Sequence, residues 1–233
     1  MAEIYRHELK YLISENEIPL IQQRLRPFMR FDSHAPEGIY RISSVYFDDM
    51  DESGYYAVDD GLDLKRKYRI RIYNGSDEVI RLERKKKRDS RAHKKTCLLT
   101  REEADRLIRG GYLRDLNGKD ELLKEFTAET MMKRLRPVII VEYDRIPYVY
   151  DVGNVRITLD LNIRSSTDIG SFFTGTNFRR AVLPEGMQLL EVKYDGILPD
   201  HIRDLFSDLS LQQISFSKYY LCRKYNVRGG SLL

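Results

Sequence analysis

Leu64-Lys-Arg-Lys-Tyr-Arg-Ile-Arg-Ile-Tyr73 alternates long basic side chains with aromatic and β-branched ones. Successive side chains of an extended chain point to opposite faces, so Lys65, Lys67, Arg69 and Arg71 share one face and Tyr68, Ile70 and Ile72 the other. That is a strand with a basic side and an apolar side. Tyr73-Asn-Gly-Ser-Asp-Glu78 then supplies an Asn-Gly turn, and Val79–Lys87 resumes the alternation with Arg81, Glu83, Lys85 and Lys87 together. Two such runs joined by a tight turn form an antiparallel hairpin.

The same parity recurs along the chain. Ile4–Ile13 puts Glu8 with Lys10, Pro137–Tyr150 puts Tyr143 with Arg145, Val155–Ile163 puts Arg156 with Asp160, and Gln188–Tyr194 puts Glu191 with Lys193. With Tyr40–Asp48 and Ala92–Leu99, these runs predict about eight strands. Helix-start signals stand between them: Ser14-Glu-Asn-Glu17 before Ile18, and the capping box Thr100-Arg-Glu-Glu103. Further helices are expected over Glu121–Lys133, Asp200–Leu209 and Ser215–Tyr225. Strands that mostly follow one another directly predict an α+β fold, an eight-stranded antiparallel β-barrel with flanking helices, formed by one domain over residues 1–233.

Five amphipathic helices must cover apolar surface, and the apolar strand faces are what is available. The charged faces then line the interior. A charged interior is costly unless it is paired, hydrated or filled by ligand, so a strongly anionic ligand such as polyphosphate or a nucleoside triphosphate is expected there. Arg and Lys contact phosphate oxygens, and acids among them can hold Mg²⁺ or Mn²⁺.

Composition narrows the field. The chain has 233 residues, 42% hydrophobic and 33% charged, with a net charge of only +4, so the basic segment Lys65–Lys95 is a local site within a near-neutral protein. The polar start and the lack of any run near ~20 apolar residues predict a cytoplasmic protein with no membrane segment. Cys97 and Cys222 are far apart and lack metal-ligand spacing, and the four histidines form no triad. Nucleic-acid binding by basic strands interleaved with tyrosines is disfavoured because acids are mixed into the basic faces. The strip Lys85–Lys95 either continues the interior or forms an outer rim that steers anions.

Seven motifs in order, Glu8-Leu-Lys10, Ser44-Val-Tyr-Phe-Asp48, Tyr68-Arg-Ile-Arg-Ile-Tyr73, Leu82-Glu-Arg-Lys85, Val155-Arg-Ile-Thr-Leu-Asp160, Leu190-Glu-Val-Lys193 and Phe216-Ser-Lys-Tyr219, resemble the VTC domain. This is the polyphosphate polymerase domain within the triphosphate tunnel metalloenzymes. The resemblance implies a tunnel in which the terminal phosphate of ATP passes to a polyphosphate chain, with Mn²⁺ or Mg²⁺ as cofactor. By motif position it implies phosphate contacts at Lys10, Arg69, Arg71, Lys85, Arg156 and Lys218, with Arg145, Tyr143, Lys67, Lys95, Lys193 and Ser217 as further tunnel residues. It implies a metal carboxylate at Glu191, and Glu8 and Glu83 are further metal candidates.

The hydrolase branch of the superfamily carries two alternating glutamates before the first-strand lysine, where this chain has Arg6-His-Glu8. That favours polymerisation over a tunnel triphosphatase or polyphosphatase, or a non-catalytic polyphosphate-binding module. The inositol-phosphate-sensing domain and membrane helices of the eukaryotic polymerase have no counterpart in these residues, so a stand-alone bacterial version is expected.

Overall fold

A computed structural model of the chain describes residues 6–60, 65–88, 91–175 and 179–228. Ile4 and Leu64, the expected starts of two strands, lie outside the described residues. The strands are β1 (Arg6–Ser14), β2 (Arg30–Phe31), β3 (Tyr40–Asp48), β4 (Lys65–Tyr73), β5 (Ser76–Arg88), β6 (Arg91–Leu99), β7 (Arg136–Tyr150), β8 (Val155–Ser166), β9 (Arg180–Ala181) and β10 (Met187–Asp195). All eight expected runs are strands, and the two-residue β2 and β9 are additions. The main strands follow the order β1-β10-β8-β7-β3-β4-β5-β6, with β2 on β7 and β9 on β8. The pairs β1–β10, β10–β8, β3–β4, β4–β5 and β5–β6 are antiparallel. Asn74 and Gly75 close the β4–β5 hairpin with φ of 51° and 70°, the positive pair that a type I′ turn requires.

The helices are α1 (Ile18–Leu25), α2 (Ser53–Asp59), α3 (Arg101–Ile108), α4 (Glu121–Lys133), α5 (Asp200–Arg203) and α6 (Lys218–Arg228). The expected capping box forms between Thr100 and Glu103 at α3, and the start signal Ser14-Glu-Asn-Glu17 proves to be a second one, Ser14 with Glu17, ahead of α1. The expected helix Asp200–Leu209 divides into α5 and a 3₁₀ turn over Asp204–Phe206. Helix α2 has no start signal in the sequence, because its cap comes from upstream. Asp48 accepts hydrogen bonds from the Gly54 and Tyr55 amides at 2.9 and 3.0 Å, and Asp49 from the Ser53 amide at 2.8 Å.

Contacts gather the chain into two compact units, each built from separate stretches. The first comprises Met1–Arg41, Tyr143–Ile163 and Leu183–Phe216; the second comprises Ile42–Glu142, Arg164–Val182 and Ser217–Leu233. In the first, Ile21 and Leu25 of α1 and Ile202 of α5 bury against Ile157, Leu159, Leu190 and Val192 of β8 and β10. In the second, α3 and α4 bury Leu107, Leu122 and Phe126 against Phe47, Tyr68, Ile70 and Leu82. Each such side chain contributes roughly 1.5–3 kcal/mol when fully buried. Within each unit the helices therefore cover the apolar strand face, as the alternation predicts; in the second, Arg69, Arg71, Glu83 and Lys85 lie on the opposite face, while Arg66 and Arg84 lie on the covered face beside Glu129 and Glu125 of α4.

No helix among the described residues is long and apolar enough to cross a membrane. Both cysteines are buried and unbridged, and burial pushes each thiol up to about 12, which leaves neither as a nucleophile.

Candidate functional site

Strand register sorts the charged residues into cross-strand rows. In the second unit, Arg69 stands opposite Glu83, which stands opposite Thr96; one row on, Lys67 faces Lys85 and Lys85 faces Lys94. Glu83, only 2% exposed, is the hub. Its carboxylate accepts from Arg69 Nε at 2.6 Å and Lys94 Nζ at 2.6 Å, with Arg71 Nη1 at 3.8 Å. Burial alone would raise the Glu83 carboxyl, but Arg69, Arg71 and Lys94 outweigh it and hold the group far below the usual carboxylate range.

The remaining contacts fix the guanidinium groups in place. Arg69 Nη1 donates to the Tyr46 hydroxyl at 2.7 Å, and Arg71 Nε donates to Ser44 Oγ at 3.3 Å. Three cations around one carboxylate leave a surplus of positive charge on this face, which is what an anionic ligand needs. Lys67 Nζ donates to Ser217 Oγ at 3.0 Å and lies 5.3 Å from the centre of the Tyr219 ring. Ser217 in turn accepts from the Tyr220 amide at 3.2 Å, capping α6, whose first residue is Lys218.

Lys95 is not part of this group. Its register partner is Arg84, on the helix-covered face, where Arg84 pairs with Glu125 of α4. Lys94 holds the polar-face position instead. Counting residues could not choose between the neighbours, whereas pairing Glu83 with Thr96 settles the parity.

In the first unit three rows cross β1, β10 and β8: Glu8–Lys193–Arg156, Lys10–Glu191–Thr158, and Leu12–Leu189–Asp160. Lys10 Nζ lies 2.7 Å from Glu8 and 3.9 Å from Glu191, and donates to the Phe216 carbonyl at 2.8 Å. Lys193 contacts Glu191 as well. Burial pulls the Lys193 ammonium down to about 8, against the opposing pull of Glu191 and Glu8.

The sequence pairs Arg156 with Asp160 by parity, but each has a different partner. Arg156 Nη1 lies 2.7 Å from Asp32 and its Nη2 donates to the Tyr40 hydroxyl at 3.2 Å. Arg145 grips Asp160 with two bonds of 2.6 and 2.7 Å, its guanidinium 5.3 Å from the centre of the Tyr143 ring. Asp32 lies in a connecting segment without periodicity, so no sequence pattern marks it.

The VTC-domain family model matches residues 5–226. The chain belongs to the VTC family. No curated protein matches this VTC chain. Among solved structures it is similar to a protein from Bacillus halodurans described by reference to adenylate cyclase, with 13% identity, a TM-score of 0.55, and 90% of this chain and 92% of the other covered. It is also similar to a Hippeastrum protein described as an adenylyl cyclase candidate with a dominant triphosphatase activity, with 13% identity, a TM-score of 0.54, and 95% and 96% covered. At this identity the likeness is one of fold. The VTC chain thus shares the antiparallel, helix-flanked fold of these structures; where a closed eight-stranded barrel is expected, the end strands β1 and β6 do not pair among the described residues.

Proposed function

We propose that this VTC chain is a metal-dependent polyphosphate polymerase, transferring the terminal phosphate of ATP to the end of a polyphosphate chain. The observation that carries this reading is the Glu83 hub, which holds Arg69, Arg71 and Lys94 in fixed directions with positive charge to spare. Phosphoryl transfer asks for positioning and for stabilisation of charge on the transferring group, and requires no nucleophile from the protein. Arg69 and Arg71 would hold phosphate oxygens with fork geometry, while Lys67, Lys85 and Lys94 would act as point charges along the chain. Lys10, Arg156, Lys193, Lys218 and Ser217 would contact phosphates from their own strands and helix.

Glu8 and Glu191 suit Mn²⁺ or Mg²⁺, since both ions take carboxylate oxygens and fill the remaining positions with phosphate oxygens and water. Among the described residues no three acids, histidines or cysteines gather as a protein-only cage. When bound, the ion would neutralise charge on the transferring phosphates.

Polymerisation is favoured over hydrolysis by the state of the carboxylates. A hydrolase that activates water with a carboxylate needs one free to take the proton. Glu83 is held far below the ordinary range by three cations, and Glu8 is engaged by Lys10, so neither is placed as a base. The Hippeastrum protein's triphosphatase activity keeps hydrolysis as the second reading. Incubation with ATP and Mn²⁺ or Mg²⁺, followed by gel separation of products, decides between them. Long chains with stoichiometric ADP are expected; orthophosphate as the sole phosphate product would refute the polymerase.

Register adds a second expected result. Lys94→Ala should weaken tripolyphosphate binding by about tenfold or more, because a hydrogen bond to a charged group contributes about 1.5–3 kcal/mol. Lys95→Ala, on the helix-covered face, should change it by no more than about twofold. Calorimetric titration of both variants checks this, and equal losses would contradict the assignment.

A further inference from the structure

Among the charged residues of the first unit stands one neutral polar side chain that the proposed reaction does not use. Thr158 is 1% exposed, and its hydroxyl is buried with no hydrogen-bond partner among the described residues. It lies on the polar face of β8, between Arg156 and Asp160, while Ile157 and Leu159 on either side enter the apolar core. Valine would fill the same volume with equal strand preference and no stranded hydroxyl. A buried hydroxyl without a partner disfavours the ligand-free protein, so a second arrangement in which it is bonded would gain by satisfying it.

The candidates for that bond are few. Arg156 can only donate; its Nη1 and Nη2 are engaged with Asp32 and Tyr40, and a bond from its Nε would still leave the Thr158 proton without an acceptor. Asp160 holds both oxygens on Arg145 and stands two residues along the same strand, roughly 6.5 Å away by the strand rise, farther than a directly paired residue. The direct cross-strand partner of Thr158 is Glu191, whose other cross-strand partner is Lys10. Side chains of such pairs stand about 4.5–5.5 Å apart at Cβ, within reach of a hydroxyl and a carboxylate. A carboxylate has about four lone-pair sites, so it can accept from Thr158 in addition to its lysines.

We propose that Thr158 is a positioning residue for Glu191, its hydroxyl turning to donate to that carboxylate when a bound triphosphate draws Lys10 and Lys193 towards its own oxygens. Glu191 then keeps a fixed direction while its lysine partners are shared with phosphate, and so remains set to receive a divalent cation. This rests on the phosphate-binding reading of the site and adds to it a residue that contacts neither phosphate nor metal. The device suits a carboxylate that serves lysines in one state and a cation in the other.

The test uses the full chain with Thr158→Val, Thr158→Ser and Glu191→Gln, singly and with Thr158→Val combined with Glu191→Gln. Without ligand, Thr158→Val should melt at or above the wild-type temperature. In calorimetric titrations with tripolyphosphate and Mn²⁺ it should bind the cation about 10- to 100-fold more weakly, as loss of a residue that orients a metal ligand does. Thr158→Ser should restore the wild-type value, and Thr158→Val should cost nothing further in the Glu191→Gln background. Unchanged Mn²⁺ affinity in Thr158→Val, or an equal loss with Glu191 already replaced, would overturn the assignment. So would a large fall in ligand-free melting temperature, because the hydroxyl would then be bonded already. If the wild type itself failed to bind tripolyphosphate, the phosphate-binding reading would fall first.

Discussion

Arg69→Ala is expected to lower kcat/KM for ATP by about 100- to 1,000-fold, the loss typical of removing one preorganised donor from a developing charge. Arg69 is the best-held guanidinium of its face, fixed by Glu83 on one side and the Tyr46 hydroxyl on the other. Its direction is thus set before any ligand arrives, and no reorganisation is needed as charge moves onto the transferring phosphate. Arg69→Lys should recover only part of the loss, because an ammonium keeps the charge but cannot reproduce the fork. Fold loss is separable from this effect: Glu83 retains Arg71 and Lys94 in the variant, so its charge stays compensated. Steady-state kinetics together with thermal melts check both parts. An Arg69→Ala enzyme with wild-type kcat/KM would remove the hub from the mechanism.

How much of this could be read beforehand follows from the physics of each feature. Alternation is a local signal, and it placed the eight main strands, because a polar face and a helix-covered face impose period two wherever a strand lies. Helix-start signals are equally local, and both form where the sequence places them, at Ser14 and at Thr100. Helix α2 was invisible because its cap is supplied by Asp48 and Asp49 from the end of β3, and no residue inside the helix announces it. Partner choice among charges was also hidden. Parity put Arg156 and Asp160 on one face, but whether they meet depends on β7 bringing Arg145 alongside Asp160 and on the segment before β3 bringing Asp32 to Arg156. The choice of Lys94 over Lys95 needed the register of β5 against β6, which the connecting turn sets and the strand residues alone do not. For the same reason Thr158 looked like an ordinary strand residue until the absence of a partner marked its hydroxyl.

Asp160→Ala should destabilise the protein by about 3–5 kcal/mol, the range for removing one member of a buried ion pair. Asp160 is fully buried and Arg145 is 8% exposed, so the alanine variant leaves a guanidinium stranded without its two bonds of 2.6 and 2.7 Å. In a chain of this size the melting temperature should fall by roughly 6–20 °C, at about 2–4 °C per kcal/mol. The same geometry raises a question about Arg145, which the resemblance makes a phosphate contact: its bonds to Asp160 commit two of its five N–H donors on a fully buried carboxylate. Replacing the pair together, Arg145→Met with Asp160→Leu, decides between the two roles. Well-packed apolar replacements of a buried pair are often neutral or stabilising, so the double variant should recover most of the melting temperature lost in Asp160→Ala. If Arg145 serves only the framework, activity returns with stability. If it also holds a phosphate oxygen, the double variant should fold well and still turn over ATP about 100-fold more slowly, the lower end of the loss expected for one donor. Melting curves and initial rates on the same preparations read out both, and a double variant as unstable as Asp160→Ala would show that the pair is not a separable unit of the core.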